Sequence, residues 1–137
     1  MNAKKADRTR SCSRSDALQF ITRAESHFDA IDLLSVDDDL LDSAANLAVS
    51  AAINACDAGC CARLKEHSQG QDHMAAVKLL EKVSPNGKAM AKDLRRVLQK
   101  KNDAQYRQTP ISATDAKRLI EWARRLVGSA RLAVDLD

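Results

Sequence analysis

A chain of 137 residues is long enough to bury a core and too short for two ordinary domains. Hydrophobic residues make up 45% of it and aromatic residues only 3%, with Ala and Leu prominent, a composition that suits helix packed on helix better than sheet. The net charge of +3 permits an acidic or nucleic-acid partner without requiring one. The N-terminus lacks the apolar core of a secretion signal, and no long uninterrupted apolar run suggests a membrane span. A cytoplasmic protein with four free cysteine thiols and no membrane contact is therefore expected.

Residues 1–14 hold Lys4, Lys5, Arg8, Arg10 and Arg14 against Asp7 with no apolar periodicity, so they read as a basic, mobile tail with Cys12 exposed in it. A single helical-bundle domain is expected over residues 15–137. Its first helix should start near Ser15 or Asp16, either of which can cap it, and run to about Leu34, burying Ala17, Ile21, Ala24, Phe28 and Ile31. His27 has no partner ligand at metal spacing in that helix, and the acids Asp37, Asp38 and Asp39 lack the punctuation of a calcium loop. Both read as surface features.

The second helix, about Leu40 to Glu66, carries Ala44, Ala45, Ala48, Ala51, Ala52, Ala55, Ala58, Gly59 and Ala62. Small side chains allow close helix approach, which suits the centre of a bundle. Cys56, Cys60 and Cys61, with His67 and His73 downstream, raise the question of zinc. The spacing is that of neither a ribbon nor a finger, and buried packing is the preferred reading, so neither metal nor cofactor is expected. Asp72 can cap a short third helix through Val83, and Ser84 to Gly87 forms a turn into the next element.

That next element is a basic amphipathic helix from Met90 to Lys101. Met90, Leu94, Val97, Leu98 and Lys101 share one face, with Lys92, Arg95, Arg96, Gln99 and Lys100 elsewhere. A polar loop from Asn102 to Ile111 follows and contains the only Tyr, Tyr106. Ser112 then caps a last helix from Ala113 to about Leu136, with Asp115 as capping partner. Trp122 falls between Arg118 and Arg125 at helical spacing and suggests either a cation stack or an interface anchor.

The Ala-rich second helix, the basic helix ending in Lys101-Asn102 with Tyr106 beyond, and Ser112-x-x-Asp115 opening a helix that reads Ala116-Lys-Arg-Leu-Ile-Glu-Trp-Ala-Arg-Arg-Leu-Val127 together resemble the HEPN superfamily (higher eukaryotes and prokaryotes nucleotide-binding). The resemblance covers about residues 42–136. It implies an all-α, antiparallel four- to five-helix bundle, a homodimer, and a place in a bacterial or phage toxin–antitoxin or defence module, with a nucleotidyltransferase-type antitoxin as a possible partner. In nuclease members an Arg, a polar spacer residue and a His form the site. Lys101, Asn102 and Tyr106 stand at the matching positions here. Lys keeps a positive charge for phosphate but loses the guanidinium fork, and an unperturbed Tyr, titrating near pH ~10, is a poor base at neutral pH.

The resemblance thus implies binding of RNA, a nucleotide or a protein partner without efficient catalysis. Arg95, Arg96, Lys100, Lys101, Asn102, Tyr106 and Arg107 are the binding residues expected from it, with the cations on phosphate and Tyr106 stacked on a base. Two alternatives stand beside it. One is a metal-independent ribonuclease whose proton transfer falls to Tyr106, His73 or Asp103. The other is a helical adaptor or oligomerisation protein with Trp122 at its interface and no nucleic-acid role.

Overall fold

The computed structural model describes residues 8–105 and 110–136. Five α-helices make up most of it: α1 (Arg14–Leu34), α2 (Leu41–Leu64), α3 (His73–Leu80), α4 (Gly87–Gln105) and α5 (Ala113–Asp135). A 3₁₀ turn, Asp38–Leu40, leads into α2. Two three-residue strands, β1 (Thr9–Ser11) and β2 (Glu66–Ser68), pair antiparallel with Arg10 opposite His67. The chain is an all-α helical bundle, as its composition indicates.

Helix α2 lies at the centre, packed along α1 on one side and α5 on another. Its alanines explain why. Ala44, Ala48, Ala51, Ala52, Ala55 and Ala58 are fully buried, and a methyl group at these positions lets the neighbouring backbones come close. Bulk comes from the partners: Ile21 and Ile31 on α1, Leu94 and Val97 on α4, Leu119 and Leu126 on α5. The stretch Asp38–Leu64 is long and apolar enough to cross a membrane, yet 56% of that window is buried inside the bundle, the signature of a core helix.

Helix starts follow side-chain chemistry. Asp72 caps α3 by accepting from Met74 N at 2.9 Å, and Ser112 caps α5 by accepting from Asp115 N at 3.1 Å, as the sequence suggests. For α1 the cap is Ser13 rather than Ser15 or Asp16. Ser13 Oγ accepts from Asp16 N at 3.2 Å while Asp16 accepts from Ser13 N at 2.8 Å, a reciprocal capping box. Those bonds stabilise the Asp16 carboxylate and lower its pKa.

Four boundaries differ from the sequence reading. Residues 8–14 do not form a free tail: β1 is laid along β2, and Cys12 N donates to Lys65 O at 3.0 Å. Helix α2 stops at Leu64, because Lys65 takes a left-handed conformation (φ 63°) that turns the chain into β2. Helix α3 ends at Leu80. Helix α4 starts at Gly87 and continues to Gln105, so Asn102 and Asp103 belong to a helix rather than a loop. Gly87 is required by close approach: a Cβ there would lie 2.6 Å from Leu80 O.

Candidate functional site

The basic residues of α4 fall along its outer face, where α5 runs antiparallel to it, and the ion pairs record that alignment. Lys100 Nζ lies 3.3 Å from Asp115 near the start of α5. Nearly three turns further along α5, Arg125 grips Asp93 of α4 with two hydrogen bonds of 2.9 and 2.7 Å. Asp93 is only 6% exposed, the one buried charged residue in the described core. Its bidentate partner neutralises a carboxylate that would otherwise be costly to bury, and those bonds raise the pKa of Arg125.

Arg96 completes the cluster from the side. Its guanidinium lies 5.6 Å from the Trp122 ring and 3.9 Å from Asp93. The cation over Trp122 is therefore Arg96 of the neighbouring helix rather than Arg118 or Arg125 of its own. Trp122 is half-buried against the core, so much of its ring already has an intramolecular partner. Arg95 reaches the other way, to Glu81 beyond the end of α3 at 3.3 Å.

Three of the four α4 cations expected to bind a ligand are therefore engaged with acids of the same chain. Lys101 is different. Among the described residues it makes no ion pair, and it lines a cavity of about 170 Å³ with Asp42, Ala45, Asn46 and Val49 of α2 and Ile111 and Leu119 at the α5 side. The volume suits a phosphate or another small polar group rather than a whole nucleotide.

Asn102 and Asp103 are exposed on the last turns of α4 and outside the cavity lining. Tyr106 and Arg107 lie outside the described residues. His73, at the first turn of α3, comes close enough to Lys101 to feel its charge. Partial burial and then the Lys101 ammonium lower its pKa from the ordinary imidazole value, which leaves the ring neutral at pH 7. The fold thus carries His73 to within electrostatic range of Lys101, 28 positions away in sequence.

A second constellation, which the sequence reading does not assemble, occupies the opposite end of α2. Cys12 and Cys61 form a disulfide with a Cα–Cα separation of 5.5 Å, so two of the four expected free thiols are paired. The β1–β2 ribbon causes this by carrying Cys12 back to the last turns of α2, a contact across 49 positions that local spacing cannot reveal. Cys56 and Cys60 are free and buried, as packing residues should be. A hydrogen bond with Cys60, followed by burial, pushes the Cys56 thiol well above its ordinary value.

Beside the disulfide stands His67, whose Nδ1 lies 3.1 Å from Ser68 O and 3.9 Å from the Asp57 carboxylate. Asp57 is mostly buried, and burial raises its pKa to about 6, with His67 pulling the other way. His67 also meets the Phe20 ring edge-on at 5.3 Å.

No protein-family model, curated protein or solved structure matches the chain, so its likeness to the HEPN superfamily rests on the residues themselves.

Proposed function

We propose that this protein is a HEPN-like component of a bacterial or phage toxin–antitoxin or defence module that acts as a homodimer. It binds RNA or a nucleotide through the Lys101 end of α4, without efficient catalysis. The observation that carries the reading is the contrast between Lys101 and its neighbours. Arg95, Arg96 and Lys100 are held by Glu81, Asp93 and Asp115, whereas Lys101 borders a cavity also lined by Asn46.

A lysine and an asparagine at a small opening suit one phosphate group, with the rest of the ligand lying over the surface. Asp42 lines the same cavity, so an anion there works against a carboxylate. Affinity for phosphate should accordingly be modest and strongly salt-dependent.

The ribonuclease reading keeps a specific support in His73. A neutral imidazole within electrostatic range of a lysine ammonium is a candidate general base near a phosphate-binding charge. One experiment separates the two readings: labelled total RNA and tRNA are incubated with the purified protein in chelator, at low and moderate salt. Binding that falls with salt, weakens at least about tenfold in Lys101→Glu and is unchanged in Arg95→Ala is the expected outcome. Cleavage that disappears in His73→Ala would move the assignment to a ribonuclease. Absence of both binding and cleavage would leave the adaptor role and remove Lys101 from the site.

A further inference from the structure

The Cys12, Cys61 and His67 group has no part in phosphate binding, yet it is the densest cluster of metal-ligating atoms among the described residues. One ligand atom from each lies within 4.8 Å of the other two. In a tetrahedral zinc site, bond lengths of about 2.3 Å to sulfur and about 2.0 Å to nitrogen put neighbouring donor atoms about 3.5–4 Å apart. The His67 nitrogen has to approach by no more than about an ångström, and the two sulfurs have to part from bonding distance. The backbone already holds all three residues: Cys12 follows β1, Cys61 sits in the last turn of α2, and His67 is the middle residue of β2.

Two further observations point to a ligand set rather than to a structural disulfide with a bystander histidine. The Nδ1 atom of His67 is accounted for by the Ser68 carbonyl, with the Asp57 carboxylate behind it. In the tautomer that donates from Nδ1, the other ring nitrogen keeps its lone pair, the arrangement by which metal-binding histidines are oriented. Cys12 and His67 also border a solvent-open cavity of about 310 Å³ with Arg10, Asp16 and Phe20, which gives an ion a way in and water a fourth coordination position.

We propose that, when the Cys12–Cys61 disulfide is reduced, Cys12, Cys61 and His67 bind one divalent cation of the zinc class, so that this end of the bundle is closed by a disulfide in oxidising conditions and by a metal in reducing ones. The reductant is a dithiol. It is oxidised to its own disulfide, and two electrons and two protons pass to the protein to give two thiols. Binding of the cation then forms two metal–thiolate bonds and one metal–imidazole bond and releases the two thiol protons, with no further change of oxidation state. Cys56 and Cys60 take no part, since neither belongs to the group of ligand atoms that Cys12, Cys61 and His67 form.

The test uses the full chain in two forms, air-oxidised and reduced with a phosphine under argon, each titrated with cobalt(II) alone and then with zinc(II). The reduced form should take up one cobalt per chain, with thiolate-to-cobalt charge-transfer and tetrahedral ligand-field bands that zinc abolishes, and the oxidised form should take up none. His67→Ala is folded first with its disulfide intact and then reduced, and should bind at least about tenfold more weakly. Cys56→Ser should bind as the parent does. Zinc should also protect Cys12 and Cys61 of the reduced parent from alkylation, read by mass spectrometry. If the reduced chain loses helix, recovery of circular dichroism on adding zinc supports the site and no recovery overturns it. Failure of the reduced chain to take up cobalt, undiminished affinity in His67→Ala, or loss of binding in Cys56→Ser would each overturn the assignment. None of these results depends on RNA binding at Lys101.

Discussion

The two ends of α2 make different uses of charged and reactive side chains. At the Lys101 end, a sequence rich in cations becomes a surface in which most of them are already neutralised: Arg95 by Glu81, Lys100 by Asp115, and Asp93 clamped by Arg125. At the Cys61 end, a stretch whose thiols read as packing residues becomes a dense group of two sulfurs, an imidazole and a half-buried carboxylate. Basicity counted along one helix overstates what is free to meet a ligand, because Glu81, Asp93 and Asp115 supply counter-charges to it. Reactivity judged from spacing within one helix understates what β1 can bring to it.

The largest effect expected from breaking this contrast is at the cysteine end. Closing a loop of 49 positions restricts the unfolded chain, so reduction or Cys12→Ser should lower stability by about 2–4 kcal/mol, measured by urea unfolding with and without reductant under metal-free conditions. Amide exchange over residues 9–11 should rise in step, since the ribbon then loses its covalent anchor. An unchanged midpoint would mean that the ribbon contributes nothing to stability.

Next comes the clamp between α4 and α5. Arg125→Ala strips a buried carboxylate of two charge-assisted hydrogen bonds, leaving only the more distant Arg96, and should destabilise the fold by about 1.5–3 kcal/mol. The double variant Asp93→Leu with Arg125→Met, which removes both partners, should recover most of that loss in thermal melts. A double variant as unstable as the single one would show that the pair itself, rather than the unpaired charge, matters.

Asp57 gives a pH-dependent effect of opposite sign. Its carboxyl titrates near pH 6 in the fold against an ordinary value of 3.8, so the folded state holds the proton more tightly than the unfolded chain does. Stability from this group is fully present below about pH 4 and is lost as pH rises through about 6. Asp57→Asn removes the charge that has to be buried at neutral pH. In the disulfide-bonded, metal-free protein it should raise stability by about 1–3 kcal/mol at pH 7.5 and by nothing at pH 4. Melting curves across that range check both the size and the window.

The smallest effect belongs to the exposed pair at the basic end. Arg95→Ala should change stability by less than about 0.5 kcal/mol, because solvent screens the Glu81 contact and the long side chain regains its freedom. A larger loss would mean that this face carries more of the bundle's stability than its exposure suggests.

Some of this architecture was legible residue by residue. The alternation of Met90, Leu94, Val97 and Leu98, the alanines of α2, and the caps at Asp72 and Ser112 are local signals, and each appears in the fold with the role its chemistry implies. The α1 cap was missed by two positions because Ser13, Ser15 and Asp16 are all capable of it, and only the reciprocal bond between Ser13 and Asp16 selects one. At the site, Lys101 was identifiable from the sequence as a cation near a helix end. That it alone among the described α4 cations expected to bind lacks an ion pair was not, since the acids that engage the others lie up to 15 positions away, on other elements for Arg95 and Lys100.

The sequence by itself determined the helices, their buried stripes and the fold class, because apolar periodicity, propensity and capping act over a few neighbouring residues. The tertiary structure decided which charges are neutralised, that His73 comes within electrostatic range of Lys101, and that Cys12, Cys61 and His67 meet. Those outcomes depend on pairings between residues far apart in the chain, and the geometry of such pairings is fixed only when the helices and the β1–β2 ribbon pack against α2.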